Sequence, residues 1–351
     1  MILAEPGGSC SELLKSCMVL ESSIRLVERI RLSLGTAIQL GLENGESDPC
    51  YTTVFLMTYK KGRCNANCAF CPQARGSSSS SDRLSRISWP DYEMNTFLNA
   101  FTRARPFERV CLQALHYPDA VAHAEEIVRA VRKVRREPIS VSIHPLAKDE
   151  MRRIQRAGAT SIGVAFDACT PSLFDSVKGA QRGSSFRWED HFQALRNALE
   201  VFGQGNVTTH LMIGLGETES EAADFIFAML GMGVSVGLFA FTSIRGTDLE
   251  KRTPPRLSSY RRVQIIRYLA SRGLIDRSNV EADSSGELRL KVEQQWLRQV
   301  LSSGAAFQTA GCKGCNRPYY NERPTGPMFN FPRSLTEDEI KQAMNESKLV
   351  M

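Results

Sequence analysis

Three cysteines in one short stretch carry the most chemistry in this sequence. Cys64, Cys68 and Cys71 lie in Tyr59-Lys-Lys-Gly-Arg-Cys64-Asn-Ala-Asn-Cys68-Ala-Phe-Cys71-Pro, spaced C-x3-C-x2-C. Three thiolates on one loop can hold three irons of a [4Fe–4S] cubane, which normally takes four cysteines, and they leave the fourth iron open to a small molecule. Zinc would more often show four ligands in pairs, and dithiol redox chemistry needs only C-x-x-C. A second pair, Cys312 and Cys315, lies near the C-terminus. Five of the ten cysteines therefore fall into two tight clusters. In a reducing compartment such spacing points to metal or redox work rather than to disulfides.

The elements that must position these thiols are legible as periodicity. Strand-like runs at 52–58, 109–115, 139–143, 161–167, 207–213 and 234–242 alternate with amphipathic helices at 120–134, 188–202, 218–230 and 259–271. Thr218 and Glu221 have capping-box spacing, and Gly203 and Gly273 follow helix ends. Repeated strand–helix alternation predicts βαβ units and a parallel sheet, either a barrel or a doubly wound open sheet. Runs at 279–281 and 306–309 are candidates for strands seven and eight. A helix is expected over about 11–42 and a short one from Thr336, with Ser77–Ser81 as a flexible loop tip. The expected organisation is an N-terminal helical extension (1–48), a barrel (49–310) and an irregular tail (311–351) that returns to the barrel mouth.

Side-chain alternation decides between barrel and open sheet. One face of successive strands is apolar; the other carries Cys111, Gln113 and Leu115, then Ser140, Ser142 and His144, then Ser161, Gly163, Ala165 and Asp167, then Thr208, His210 and Met212. An open sheet covered by helices would be apolar on both faces. A wet barrel interior explains the polar face, and a ligand site is expected there, near the C-terminal ends of the strands.

Composition narrows the rest. The 351 residues are 42% hydrophobic and 23% charged, enough for a sizeable core. The excess of 44 Lys and Arg over 38 Asp and Glu gives +6, spread along the chain. Its densest cluster, Arg129–Arg136, reads as a solvated helix face, so no nucleic-acid partner is expected. No apolar run reaches the ~20 residues of a spanning helix. With no leader pattern in Met1–Cys10, no membrane role and a cytoplasmic location are expected.

On Cys64, Cys68, Phe70 and Cys71 the sequence resembles the radical S-adenosylmethionine (SAM) superfamily. The resemblance implies that the open iron chelates the methionine part of SAM and that a one-electron C–S cleavage yields a 5′-deoxyadenosyl radical. Met212-Ile-Gly214-Leu-Gly216-Glu217 resembles the superfamily's glycine-containing motif near the adenine, and Asp167 falls where ribose is often contacted. The polar inner face places Gln113, Ser142, His144 and His210 as further candidates to contact cofactor or substrate. Lys60, Lys61 and Arg63 could dock an acidic flavodoxin or ferredoxin, or simply form a solvated loop.

Within the superfamily the stretch from about 33 to 310 resembles biotin synthase. That enzyme holds a second, sacrificial cluster on three strand cysteines and an arginine. Here only Cys111 matches; the next two positions fall on Ser140 and Thr208, and the arginine falls near Asp283. The tail from Gly311 to Pro327, with Cys312, Cys315, Arg317, Tyr319, Tyr320 and Arg323, offers a replacement. It resembles the C-terminal signature of the archaeal-type two-component lipoyl synthase, whose larger subunit the runs Cys71-Pro-Gln-Ala-Arg75 and Leu84-Ser-Arg-Ile-Ser-Trp-Pro90 also resemble. That resemblance implies an auxiliary [4Fe–4S] cluster that gives up sulfide. It further implies a second synthase subunit as partner, and an octanoyl chain on a lipoyl domain or glycine-cleavage H protein as substrate, with sulfur inserted at C6 or C8. Cys111 is the first choice for the third auxiliary ligand, with Cys10, Cys17, Cys50 and Cys169 as alternatives. A methyltransferase or maturase with structural tail cysteines, and a non-catalytic Fe–S scaffold, are the competing readings.

Overall fold

The computed structural model describes residues 27–322 and 325–350. The first half of the helix expected at 11–42, with Cys17, lies outside the described residues, as do Cys10 and Arg323. Within them the expectation fails. Arg29–Leu32 is a strand (β1), in which Ile30 and Leu32 alternate with arginines and Ile30, Arg31 and Leu32 are all buried. A short helix, Leu34–Gln39 (α1), follows, started by Ser33 accepting from the Thr36 N–H.

Six parallel strands form the main wall: Thr53–Thr58 (β2), Arg109–Gln113 (β6), Ile139–Ser142 (β7), Ser161–Gly163 (β8), Val207–Ile213 (β9) and Ser235–Ala240 (β10). They are hydrogen-bonded in sequence order, as right-handed βα units require. On the outer flank of β2, β1 pairs antiparallel with it and with Asp91–Glu93 (β5). The curved sheet is a TIM-type α/β barrel not closed by hydrogen bonds, with β10 and β5 as its free edges. Between β2 and β5 stands a small hairpin, Arg83–Leu84 (β3) with Ile87–Ser88 (β4).

The helices cover the outside. Met94–Arg103 (α2), Ala120–Val134 (α3), Lys148–Ala157 (α4), Pro171–Val177 (α5), Trp188–Phe202 (α6), Glu219–Gly231 (α7) and Leu257–Ser271 (α8) follow their strands, and Thr218 and Glu221 form the expected capping box. No helix of the described residues is long and apolar enough to cross a membrane.

Three further expectations are corrected. The run at 279–281 does form a strand, Val280–Ala282 (β11), but it pairs antiparallel with Leu288–Leu290 (β12) in a hairpin outside the barrel, and 305–307 is a 3-10 turn. Short apolar runs specify extended backbone without specifying a partner. The serine run is no free tip: Ser77 and Ser79 are buried, and the Ser78 N–H and Ser77 hydroxyl both donate to the Gly246 carbonyl. The tail does not return directly to the mouth. It first plugs the opposite end, where the Lys313 and Gly314 carbonyls accept from Arg109 Nε (2.7 Å) and Thr52 Oγ1 (2.8 Å) at the starts of β6 and β2. It then climbs the open side. Arg317 lies 3.8 Å over the Phe239 ring, and the Asn321 carbonyl accepts from Thr242 beyond β10. Ser85 and Arg86 of the β3–β4 hairpin bond the Tyr320 and Glu322 carbonyls, so the tail bridges the unpaired gap. After Gln294–Leu301 (α9), the helix expected from Thr336 is Glu337–Ser347 (α10), packed on α8.

Outside the barrel, Phe166 is the hub of an aromatic cluster with Trp188 (4.6 Å), Phe192 (4.9 Å) and Phe225 (5.4 Å), each pair worth about 0.5–1.5 kcal/mol beyond area burial. His191, 1% exposed, packs on the same hub and bonds the Arg187 carbonyl. Burial, aided by Lys178, lowers its pKa from 6.5 to about 3. The unfolded chain therefore takes up this proton first, and its contribution to stability is lost as pH falls from about 6.5 toward 3. Denaturant midpoints should drop between pH 7 and pH 5, and His191→Phe should narrow that drop; an unchanged difference would assign the acid sensitivity elsewhere.

Candidate active site

A cavity of about 240 Å³ occupies the barrel interior. The polar face read from alternation lines it: Cys111 and Gln113 of β6, Ser142 of β7, Ala165 and Asp167 beyond β8, and Thr208, His210 and Met212 of β9. Cys68, Phe70 and Cys71 line it from the loop after β2, at the C-terminal end of the strands, and Cys312 and Cys315 line it from the tail. Two thiol sets thus face one chamber from different elements, joined by apolar walls of Phe55, Leu84, Trp89, Phe239 and Tyr320.

The first loop is held by backbone. The Cys64 N–H donates to the Gln73 carbonyl and the Cys71 N–H to that of Cys68, which folds the three-cysteine stretch into a compact turn. Cys64 is buried just behind the lining, and its sulfur accepts from the His116 N–H at 3.2 Å. Burial pushes the Cys68 thiol up to about 12, against the pull of Lys178, and raises Cys71 well above its ordinary range, with the neighbouring thiols adding to the effect. Arg63 donates to the Pro72 carbonyl (2.7 Å) and to that of Ser79, and Lys60 to that of Arg63. These two cations bind their own loop, which leaves Lys61 as the outward charge of that group.

The second set is the longest-range feature of the site. Cys111, Cys312 and Cys315 act on one another electrostatically, and burial raises both Cys111 and Cys315. Gln113 Nε2 donates to the Cys111 sulfur (3.0 Å) and Ser140 Oγ to the Cys312 sulfur (3.4 Å), while the Cys312 sulfur lies 4.0 Å from Thr208 Oγ1. The tail therefore delivers a thiol between the two strand positions, 140 and 208, that lack one. Cys50 is exposed, and Cys169 is buried beside Glu217 and Glu221, so neither joins the set. Asp283, where alignment put an arginine, sits in the β11–β12 turn. The arginines actually near the thiols are Arg109, which donates to Ser140, Ser161 and the Lys313 carbonyl, and Arg317, which donates to the Ala310 carbonyl.

Other expected residues divide. Asp167 reaches the cavity through a left-handed backbone (φ +66), a conformation Asp tolerates better than most residues, with Phe166 anchored behind it. Its carboxylate pairs with Lys178 Nζ at 2.7 Å. Burial opposes the Lys178 charge, yet Asp167 and the two loop thiols hold its pKa above the ordinary value. Burial lowers His210 to about 4, so it faces the cavity neutral. His144 does not line the cavity. β7 ends at Ser142, the alternation stops there, and the ring packs on His116 at 4.5 Å. Gly214 lies outside it too, its N–H held by Glu217 Oε1 (2.6 Å), which also accepts from Leu215 and Gly216 through Oε2.

Arg109 and Lys178 were missed. Arg109 shares the parity of Cys111 and Gln113, so its inward position was readable; Lys178 sits just past a helix end, where no period constrains it.

Residues 60–229 match the family model of the radical SAM superfamily. The chain has its three-cysteine loop, on the barrel mouth, within that match. Its particular likeness is to biotin synthases: 26% identity over 265 residues to that of Rhizobium rhizogenes (72% of this chain, 74% of that protein), and 24% over 297 residues to that of Prochlorococcus marinus (81% and 79%). A crystal structure of methylornithine synthase superposes with a TM-score of 0.49 at 16% identity, over 64% of this chain and 63% of that one.

The family implies a [4Fe–4S] cluster and SAM, and the residues fit them. Among the described residues no three His, Cys, Asp or Glu side chains converge as for a single metal ion. The unpartnered Trp89 Nε1 is a buried polar atom on the cavity wall. Buried thiols this resistant to ionisation give up their protons when iron binds, since a coordinating thiol is deprotonated outright.

Proposed function

We propose that this chain is a sulfur-inserting radical SAM enzyme, one subunit of a lipoyl synthase acting on a protein-bound octanoyl chain. The observation that carries the reading is the second thiol set, Cys111, Cys312 and Cys315, in the same chamber as Cys68 and Cys71. When bound, the first cluster with SAM supplies a hydrogen-abstracting radical, and an auxiliary [4Fe–4S] cluster supplies sulfide. The chain's own residues hold and shield these groups. Cys64, Cys68 and Cys71 hold the first cluster, and Asp167, ion-paired with Lys178, offers acceptors at the cofactor end. Cys111, Cys312 and Cys315 hold the second, with Gln113 and Ser140 donating to sulfur and Arg109 and Arg317 offsetting its negative charge. The apolar walls suit an alkyl chain and exclude water from it. A second synthase subunit, an octanoylated lipoyl domain or H protein, and a flavodoxin or ferredoxin reductant complete the proposal, the last approaching near Lys61.

The test is a single-turnover incubation of the reconstituted chain with SAM, dithionite and an octanoyl-lysyl peptide, with and without the second subunit. Mass spectrometry should show a product heavier by one sulfur. SAM cleavage with no sulfur product in either case would withdraw the lipoyl assignment and leave other radical chemistry.

A further inference from the structure

The loop carrying Cys312 and Cys315 is a partition. On its far side from the main chamber lies a separate cleft of about 450 Å³, and Ala310, Gly311, Cys312 and Cys315 line both spaces. Gly311 (φ +132) and Gly314 (φ +78) turn the loop with no side chains of their own, so the wall is thin beside the sulfurs. The charged residues lining the outer cleft are all cationic: Arg267, Arg272 and Lys313. Glu108 approaches Gly314 but does not line it. Arg272 stacks at 4.6 Å over Tyr268. Arg267 Nε is shielded from solvent and has no hydrogen-bond partner among the described residues. Burial brings Arg267 down to about 10, with Arg272 and Arg317 contributing against the pull of Tyr260 and Tyr268. A guanidinium whose sheltered Nε lacks a partner, in a cleft of like charge, is a site for a small anion.

The chemistry supplies the anion. Each sulfide transferred to product leaves the auxiliary cluster one sulfide short, and the main chamber is then the space of cofactor and substrate. We propose that the outer cleft is an anion-binding entrance through which hydrosulfide reaches the Cys312–Cys315 edge of the auxiliary cluster, from the side opposite the SAM chamber. Hydrosulfide arrives at the oxidation level of the sulfide it replaces and releases its proton to solvent, so no oxidant or reductant is needed. The proposal rests on the sulfur-insertion reading above.

It is tested by anaerobic reconstitution of the full chain with ferrous iron and sodium sulfide, following absorbance and bound iron. A Cys64→Ala/Cys68→Ala/Cys71→Ala background isolates the auxiliary cluster; a Cys312→Ala/Cys315→Ala background isolates the other. Arg267→Gln, Lys313→Gln and a plugging Ser271→Trp at the cleft rim should slow auxiliary assembly about fivefold or more, raise the sulfide concentration it needs, and leave assembly on Cys64, Cys68 and Cys71 unchanged. Lys313 and Ser271 are exposed, so those variants carry the test if Arg267→Gln fails to fold. Equal auxiliary rates in all of them, or equal slowing of both clusters, would overturn the entrance. Failure of the otherwise unmodified first background to take up any cluster would overturn instead the sulfur-insertion reading on which it stands.

Discussion

A Cys312→Ala/Cys315→Ala variant should still cleave SAM under reductant while its sulfur transfer falls to background. The two thiol sets reach the chamber from different elements, one from the loop after β2 and the other from the tail. The tail does not depend on its sulfurs for position. Asn316 bonds the Cys50 and Pro332 carbonyls, Arg317 stacks on Phe239, and Ser85 and Arg86 bind the stretch beyond. The substitution should therefore leave the fold, the first cluster and cofactor cleavage intact. Deoxyadenosine and thiolated product, quantified from the same incubation, give the comparison. Cys111→Ser should behave like the double variant, because a strand position cannot be replaced by a neighbouring tail residue. Loss of SAM cleavage with folding preserved would show that the tail thiols serve the first cluster or the cofactor; undiminished sulfur transfer would remove them from the chemistry.

Lys178→Met should be strongly destabilising. The Lys178 and Asp167 side chains are only 8% and 14% exposed, and Asp167 has no second cation within ion-pair distance among the described residues. Removing one partner of a buried pair leaves an uncompensated charge, at a typical cost of about 3–5 kcal/mol, whereas removing both is far milder. Asp167→Asn/Lys178→Met should accordingly recover much of the loss in denaturant titrations. A loss below about 1 kcal/mol, or additive single effects, would mean that the pair is solvated in solution.

Much of this site was legible because it is local or periodic. The C-x3-C-x2-C spacing is fixed within eight residues, and the loop lies where a strand ends. Period-two alternation placed Cys111, Gln113, Ser142, His210 and Met212 on the inner wall, since the strands that carry them are long enough to keep phase. His144 broke the rule because β7 stops two residues earlier. The meeting of Cys111 with Cys312 and Cys315 joins positions some two hundred apart; parity said Cys111 points inward, but nothing local says where an irregular tail goes. Its path follows from a physical need instead. The tail supplies carbonyls to Thr52 and Arg109 at the starts of β2 and β6, and to Thr242, Ser85 and Arg86 across the gap between the sheet's free edges. Strand β11 shows the same limit from the other side, extended backbone being predictable and its pairing not.

The most direct test of the account is anaerobic iron and sulfide content with Mössbauer spectra. The wild-type chain should hold about eight irons as two [4Fe–4S] clusters, falling to about four in Cys312→Ala/Cys315→Ala, with the surviving cluster still perturbed by added SAM. Four irons in both proteins would contradict it, leaving no second cluster to give up sulfur.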